Sequence, residues 1–236
     1  MLERSIMLSR FINAARKFLL TKGFFEHHLY STLNYKIENT ATFEIEKGRF
    51  LRYNPEPDIW TAGERYDKFF WIGSMFRDEP KVSSLHKKEF TVIDTYILGG
   101  MKEAVDLFMQ IIGEIELELN LSRLSKLPIK YVRHRDFGRG ELEDGRYWLV
   151  VTDYPIVESF YDLPSEHSAD ETKKFEIYFV YNKQSIEIAA CGNLGENLNK
   201  KNFIKNAHKI VNHKVLDKGF VGFGFGIERL IHLYQI

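Results

Sequence analysis

Hydrophobic side chains recur at intervals of three and four residues in two long segments of the chain. The first, Ile6–Leu20, ends shortly before Gly23, and the second, Met101–Leu119, places acidic residues on its polar side. This spacing predicts two amphipathic helices that each bury one face. Shorter patterns of the same kind predict helices at Lys201–Asn212 and at Ile227–Tyr234.

Segments rich in β-branched and aromatic residues predict strands between these helices. Thr42–Tyr53 is typical of a hairpin that turns at Glu46–Gly48. The other predicted strands are Phe24–Leu29, Phe69–Arg77, Glu89–Leu98, Tyr147–Thr152, Phe175–Tyr181, Ser185–Ala190 and the glycine-rich Gly219–Gly226. Because hairpins and helices follow one another without regular βαβ alternation, we predict an α+β fold, a mostly antiparallel sheet flanked by helices. No linker or repeat divides residues 1–236, which predicts a single domain.

Composition narrows the function classes. Lysine plus arginine and aspartate plus glutamate each number 33, so the chain lacks the basic excess typical of proteins that hold long nucleic acids. Cys191 is the single cysteine, which excludes a disulfide framework and fits a reducing compartment. The N-terminus does not resemble a signal peptide, and no apolar run reaches membrane-spanning length. We therefore expect a cytoplasmic protein without membrane contact.

The most informative stretch runs from Phe76 to Asp94. Arg77 ends one predicted strand, a charged loop follows, and Phe90 lies near the start of the next strand. A hairpin would present the guanidinium, which bonds two oxygens of a phosphate or carboxylate, beside an aromatic face that suits an adenine ring. The alternative is an ordinary charged hairpin.

A second stretch, Gly222–Leu230, places three alternating glycines before a helix whose first turn carries Arg229. Such glycines let a ligand approach the backbone, and helix N-termini and arginine both favour phosphate. The glycine spacing is not that of a dinucleotide-binding fingerprint. The alternative is a glycine-rich strand that simply packs on a core helix.

A third feature is a pair of acids, Glu176 and Glu187, on two neighbouring predicted strands. If these strands form a hairpin that turns at Tyr181–Gln184, the carboxylates can lie across from one another. Two like charges so placed are unfavourable unless a cation such as phosphate-bound magnesium lies between them. The alternative is the solvent-exposed face of an edge strand.

Taken together and in this order, these stretches resemble the motifs of class II aminoacyl-tRNA synthetases, in particular the subclass of the aspartyl, asparaginyl and lysyl enzymes. Phe76–Thr91 resembles motif 2, and Gly222–Leu230 resembles motif 3. Arg10–Leu29 resembles the dimer-forming motif 1, although its usual proline is absent and Tyr30 stands near that place. The resemblance implies a homodimer that uses ATP and Mg²⁺ to activate an amino acid.

The resemblance also implies roles for individual residues. Arg77 would bind the α-phosphate and the amino-acid carboxylate, and Arg229 would hold the γ-phosphate, so these two are the expected catalytic residues. The ATP-binding set would comprise Arg77, Glu79, His86, Phe90, Glu187, Gly226 and Arg229. The amino-acid-binding set would comprise Glu56, Arg77 and Gly224, and the metal-binding acids would be Glu176 and Glu187.

Three functional hypotheses follow from this resemblance. Because the motif 1 resemblance begins near residue 10, we expect no anticodon-binding domain of the subclass before it. We therefore favour an adenylate-forming ligase that recognises no anticodon and transfers the amino acid to an unknown acceptor such as a protein, a carrier, a small molecule or ammonia. The second hypothesis is a catalytically silent, amino-acid-binding regulatory subunit. The third is a tRNA-charging enzyme that works with a separate tRNA-binding subunit.

Overall fold

The fold is built on one large mixed sheet with helices on one face. The computed structural model describes residues 2–36, 42–55, 58–78, 82–83, 85–132, 148–153, 174–181, 184–193 and 218–235. The helices are α1 (Leu2–Thr21), α2 (Met101–Leu119) and α3 (Ile227–Leu233), with 3₁₀ turns at Asp58–Glu64 and Leu124–Lys126. The predicted helix at Lys201–Asn212 lies outside the described residues.

Eleven strands form two sheets in the described part of the chain. In chain order they are β1 (Phe25–Glu26), β2 (Thr32–Leu33), β3 (Glu44–Glu46), β4 (Arg49–Leu51), β5 (Lys68–Phe76), β6 (Glu89–Leu98), β7 (Ile129–Val132), β8 (Trp148–Asp153), β9 (Lys174–Tyr181), β10 (Gln184–Asn193) and β11 (Phe220–Gly226). The eight-stranded sheet has the order β1-β5-β6-β11-β10-β9-β8-β7, and the small sheet has the order β2-β4-β3. Among the strand pairs that the structure describes, β1–β5 and β7–β8 are parallel and the others are antiparallel. This confirms the predicted α+β fold on a mostly antiparallel sheet.

The main core lies between the large sheet and the helices. The apolar face of α2 supplies fully buried side chains such as Phe108 and Ile112, which pack under Phe223 and Phe225 of β11. Burial of large apolar side chains in this way is the main favourable term in folding. Helices α1, α2 and α3 cover one face of the sheet. On the opposite face, Ile59 and Trp60 of the 3₁₀ turn form a second core with residues of β5, β6 and β11 such as Phe69 and Tyr96, and the remainder of that face is left to build a site.

Local signals fix where the elements end. Gly23 adopts φ +80°, a left-handed conformation that glycine tolerates, and Phe24 N–H bonds back to the Leu19 carbonyl, which ends α1. The predicted strand Phe24–Leu29 is too long, because β1 has only Phe25–Glu26. One further bond, from His27 N to the Phe70 carbonyl, continues the pairing with β5 before the chain leaves the sheet.

The small sheet is fastened to the end of β5. The predicted hairpin is confirmed by β3 and β4, and Gly48 in its turn has φ +77°. Phe76 N donates to the Arg52 carbonyl at 2.8 Å, which joins the segment after β4 to the end of β5. Arg52 is 2% exposed, pairs with Asp58 at 2.9 Å and donates to the Tyr30 carbonyl. This buried ion pair holds the residues before and after Pro55 together.

Candidate active site

The face of the sheet opposite the helices carries the candidate site. Successive residues of a strand point to opposite faces, so with Phe223 and Phe225 in the core, Gly222, Gly224 and Gly226 lie on the other face. Register extends this face to the neighbouring strands, because Gly224 pairs with Asp94 on β6 and with Ala190 on β10, and Ala190 pairs with Glu176 on β9. Phe90, Asp94, Tyr96, Gly222, Gly224, Gly226 and Glu176 therefore share one surface.

The glycines of β11 let neighbouring side chains pack closely against this surface. A Cβ on Gly222 would lie 2.4 Å from the Tyr96 ring, and a Cβ on Gly224 would lie 3.0 Å from an Asp94 carboxylate oxygen. At Gly226 the nearest atom is Phe90 Cδ2 at 3.9 Å, an ordinary contact. The strip therefore brings backbone within reach of a ligand, with Phe90 beside its last glycine.

Arg77 is held between two aromatic rings. It follows β5, and its backbone N–H bonds to the Lys88 carbonyl at 2.8 Å, which carries the β5–β6 hairpin one step further. Its Cζ lies 5.1 Å from the centroid of the Phe90 ring and 4.8 Å from that of Tyr53. Cation–π contacts at these distances fix the guanidinium before any ligand arrives. The predicted pairing of Arg77 with Phe90 is thus present in the structure, and Tyr53 is an addition that the sequence analysis missed.

Arg229 reaches from α3 across to β10. Its Nη1 donates to the Glu187 carbonyl at 2.8 Å and lies 3.5 Å from the Glu187 carboxylate. The side chain is 23% exposed, so Arg229 is partly accessible beside Glu187. Arg77 and Arg229 therefore both approach the surface that carries Phe90.

The two predicted metal-binding acids share this face but do not lie directly opposite each other. The hairpin closes with Gln184 opposite Tyr181, so Glu187 pairs with Tyr178, and Glu176 pairs with Ala190. A bulge between Glu187 and Ala189 adds to this offset. The carboxylates are diagonal neighbours, and Glu176, buried, accepts a hydrogen bond from the Tyr178 hydroxyl. The expectation of directly facing carboxylates is therefore wrong.

The surface between the strands is acidic. Asp94 and Glu176 are both buried, at 9% and 8% exposure. Burial, followed by the charges of Asp94, Glu176 and Glu187, raises the pKa of the Cys191 thiol well above its usual value. Cys191 is itself buried on the helix side of β10, so it reports the negative field and remains a protonated packing residue. Sequence reasoning did not assign a role to Asp94, although an acid in the middle of an apolar strand was a visible signal.

Three predicted site residues remain to be placed, and the structure describes His86 among them. Glu56 and Glu79 lie outside the described residues. His86 is exposed in the loop between β5 and β6, where its Nδ1 lies 3.2 Å from the Ser83 hydroxyl and its carbonyl accepts from Ser83 N. No group of three or more His, Cys, Asp or Glu side chains in the described part of the chain is arranged to hold a metal ion. None of the helices described there has the length and apolar character to cross a bilayer.

Solved structures of asparaginyl-tRNA synthetases share this architecture. The enzyme of Entamoeba histolytica, including a complex with asparaginyl-adenylate, aligns with a TM-score of 0.67 and 14% identity over 97% of this chain and 63% of its own. The Pyrococcus horikoshii enzyme, complexed with asparaginyl-adenylate, gives 0.65 and 16% over 99% of this chain and 65% of its own. No protein-family profile and no curated protein matches the sequence.

These comparisons define the fold. It is that of the catalytic core of class II aminoacyl-tRNA synthetases, as the motif resemblance predicted. The chain spans less than two thirds of the length of the synthetases it matches. At this level of identity, the activity of the chain has to be argued from its own residues.

Proposed function

We propose that this chain activates an amino acid with ATP, forming an aminoacyl-adenylate, and transfers the aminoacyl group to an acceptor that is not a tRNA. The observation that carries the proposal is that Arg77 packs on Phe90, Phe90 lies beside Gly226, and Arg229 of the following helix reaches Glu187 on the same face of the sheet. A planar aromatic ring beside two guanidinium groups suits a nucleotide with its phosphates. The shared fold with proteins solved with asparaginyl-adenylate supports the same reading.

The reaction needs positioning and charge neutralisation. A carboxylate oxygen of the amino acid attacks the α-phosphorus, a new oxygen–phosphorus bond forms, and the bond to the β-phosphate oxygen breaks as pyrophosphate leaves with its electrons. Arg77 would hold the α-phosphate and the attacking carboxylate together, and its fixation by two rings reduces the reorganisation needed in the transition state. Phe90 would stack on the adenine, and Arg229 would bind the γ-phosphate.

The flanking residues would complete the two binding sets. Glu79, His86 and Gly226 would line the nucleotide, and Glu56 and Gly224 would contact the amino acid. Asp94, buried beside Gly224, adds a carboxylate at the point where an α-ammonium group would approach the backbone strip. Opposite charge and close approach favour binding of the amino group on this side of the α-phosphate.

The acids of β9 and β10 would hold a shared magnesium ion. Mg²⁺ in nucleotide sites is typically bound by one or two carboxylates together with substrate phosphates and water. Glu176 and Glu187 offer such a pair on one face, and Arg229 beside Glu187 would bring the phosphates to it. When bound, the ion would neutralise charge on the phosphate oxygens.

The second part of the proposal concerns the acceptor. Equal numbers of acidic and basic residues give no general attraction to the many phosphates of a tRNA. This supports a small-molecule, carrier or protein acceptor. Aminoacylation of total tRNA by the purified chain would contradict this part of the proposal while leaving amino-acid activation intact.

The test of activation is ATP–pyrophosphate exchange with each of the twenty amino acids. We expect exchange with one or a few amino acids and a loss of roughly 100-fold or more in Arg77→Ala, because removal of one preorganised charge donor has effects of this order. Arg65→Ala is the matched control, since Arg65 is exposed just after the 3₁₀ turn Asp58–Glu64 and lies outside the small sheet. Folded protein that exchanges with no amino acid would refute the proposed activity.

A further inference from the structure

The edge where β11 leaves the sheet is closed by a side chain. Pairing between β6 and β11 ends with Val92 opposite Gly226, and the chain then turns into α3. At the next position of β6, Thr91 N donates to both carboxylate oxygens of Glu228, at 3.0 and 2.9 Å. The Thr91 hydroxyl donates to the same carboxylate at 3.1 Å. Glu228 therefore replaces the strand partner that Thr91 loses.

This contact, the Thr91–Glu228 clasp, lies directly beside two proposed ATP-binding residues. Phe90 precedes Thr91, and Arg229 follows Glu228. Because strand residues alternate between faces, Thr91 points toward the helix side while Phe90 points to the site. Glu228 and Arg229 also point to different sides of the sheet, since Glu228 bonds to Thr91 and Arg229 reaches Glu187 on the site face. The clasp therefore holds α3 on the helix side of the sheet, while Phe90 contacts Arg77 and Arg229 contacts Glu187 on the site face.

We propose that Glu228 is a positioning residue that sets the placement of Arg229 relative to Phe90 for ATP binding, without touching ATP. The inference rests on the proposed function and deepens it. Bonds from a main-chain N–H to an ionised carboxylate are stronger and more directional than neutral ones. A shift of α3 along β6 would separate the guanidinium from the ring, so the clasp acts on nucleotide affinity through geometry.

A second carboxylate, Glu116 of α2, contacts the C-terminal end of α3 and provides a matched control. Glu116 of α2 is 3% exposed and accepts from the amides of Arg123 and Leu124 and from the hydroxyl of Tyr234, which follows α3. It thus makes the same kind of bonds as Glu228 but lies at the end of α3 remote from Arg229. A substitution there disturbs packing and hydrogen bonding without moving the site.

The test measures the dissociation constant of Mg-ATP by isothermal titration calorimetry in Glu228→Ala, Glu228→Gln, Thr91→Val and Glu116→Gln, with urea unfolding of each. We expect Glu228→Ala to weaken ATP binding by about tenfold or more. Glu228→Gln keeps one acceptor oxygen and should recover part of the affinity. Thr91→Val keeps the main-chain bonds to Glu228, so its dissociation constant for Mg-ATP should stay within about twofold of that of the unaltered chain. Glu116→Gln should lower the free energy of unfolding but also keep the dissociation constant within about twofold, because Glu116 lies at the end of α3 remote from Arg229.

The results distinguish failure of the positioning role of Glu228 from failure of the proposed function. Equal ATP affinity in Glu228→Ala and the unaltered chain would overturn the positioning role and leave the proposed function standing. An equal loss of affinity in Glu116→Gln would also overturn it, because general loosening of α3 would then account for the effect. Absence of ATP binding by the unaltered folded chain would overturn both the role and the proposed function. Glu228→Gln supplies the comparison if Glu228→Ala does not fold.

Discussion

Replacement of Gly222 by alanine tests the packing of the site floor. Gly222 lies in ordinary strand conformation on β11, opposite Tyr96 of β6. An added Cβ would lie 2.4 Å from Tyr96 Cε1 and 2.6 Å from Cδ1, whereas carbon atoms prefer separations of about 3.5–4.0 Å. The Tyr96 ring is 1% exposed and stacks on Phe69 at 5.1 Å, so it has no free space into which to move.

The expected magnitude comes from two opposing terms. Overpacking of a buried site destabilises by about 1–3 kcal/mol. Loss of chain entropy in the unfolded state favours alanine over glycine by about 0.4–1 kcal/mol. We therefore expect Gly222→Ala to lower the free energy of unfolding by about 1–2 kcal/mol.

The assay is urea unfolding followed by circular dichroism, with Gly113→Ala as the control. Gly113 lies within α2, and its added Cβ would meet only Ser125 Cβ at 3.9 Å, an ordinary contact. Alanine is favoured over glycine in a helix interior by about 0.5–1 kcal/mol. The same chemical change should thus have opposite signs at the two positions. A Gly222→Ala protein as stable as the unaltered chain would refute the argument from crowding.

Two further predictions concern the nucleotide and the pH. Phe90→Ala should weaken ATP binding by about tenfold, since stacking of a base on an aromatic ring contributes roughly 1–3 kcal/mol. Phe90→Tyr keeps an aromatic ring and should retain the affinity for ATP. Calorimetry with ATP measures both dissociation constants, and unchanged affinity in Phe90→Ala would exclude stacking of the adenine on Phe90. Burial raises the pKa of Glu116, but hydrogen bonds from Ser125, Tyr234 and two amides outweigh it, so the pKa lies below its ordinary value of 4.5. Because the native state then binds fewer protons than the unfolded chain, the stability that this carboxylate contributes is present above pH 4.5 and is lost as the pH falls through its native pKa. Urea unfolding from pH 7 to pH 3 should show a steeper loss for the unaltered chain than for Glu116→Gln, and parallel curves would contradict the assignment.

Strong local patterns were sufficient to predict the main elements. The predicted bounds Glu89–Leu98 and Met101–Leu119 coincide with β6 and α2, because apolar periodicity there is uninterrupted and glycines separate the two segments. Periodicity failed where pairing depends on distant strands. The apolar run after Gly23 forms only the short β1, since its length is set by the parallel contact with β5. The short β2 and β7 were not predicted for the same reason.

Those site residues that belong to local sequence motifs could be predicted from the sequence. Arg77, Phe90 and Arg229 were found from their residue type and from the strands and helix that carry them. Tyr53 and Glu228 were missed because each acts through a partner remote in sequence, Arg77 and Thr91 respectively. The predicted turn at Tyr181–Gln184 is where the hairpin closes, and counting from it already places Tyr178 opposite Glu187. The bulge between Glu187 and Ala189, which then pairs Glu176 with Ala190, depends on local geometry that the sequence pattern does not reveal.

The two aromatic rings that contact Arg77 come from different parts of the molecule, so Arg77 links the large sheet to the small one. One ring comes from Phe90 of the large sheet, and the other comes from Tyr53, which the small sheet and the buried Arg52 hold in place. Changes in a surface hairpin that contacts no substrate can therefore misalign the reactive guanidinium. Inactivating substitutions should accordingly arise in the small sheet as well as in the cleft, and transplanting that hairpin from a homologue should carry catalytic consequences with it.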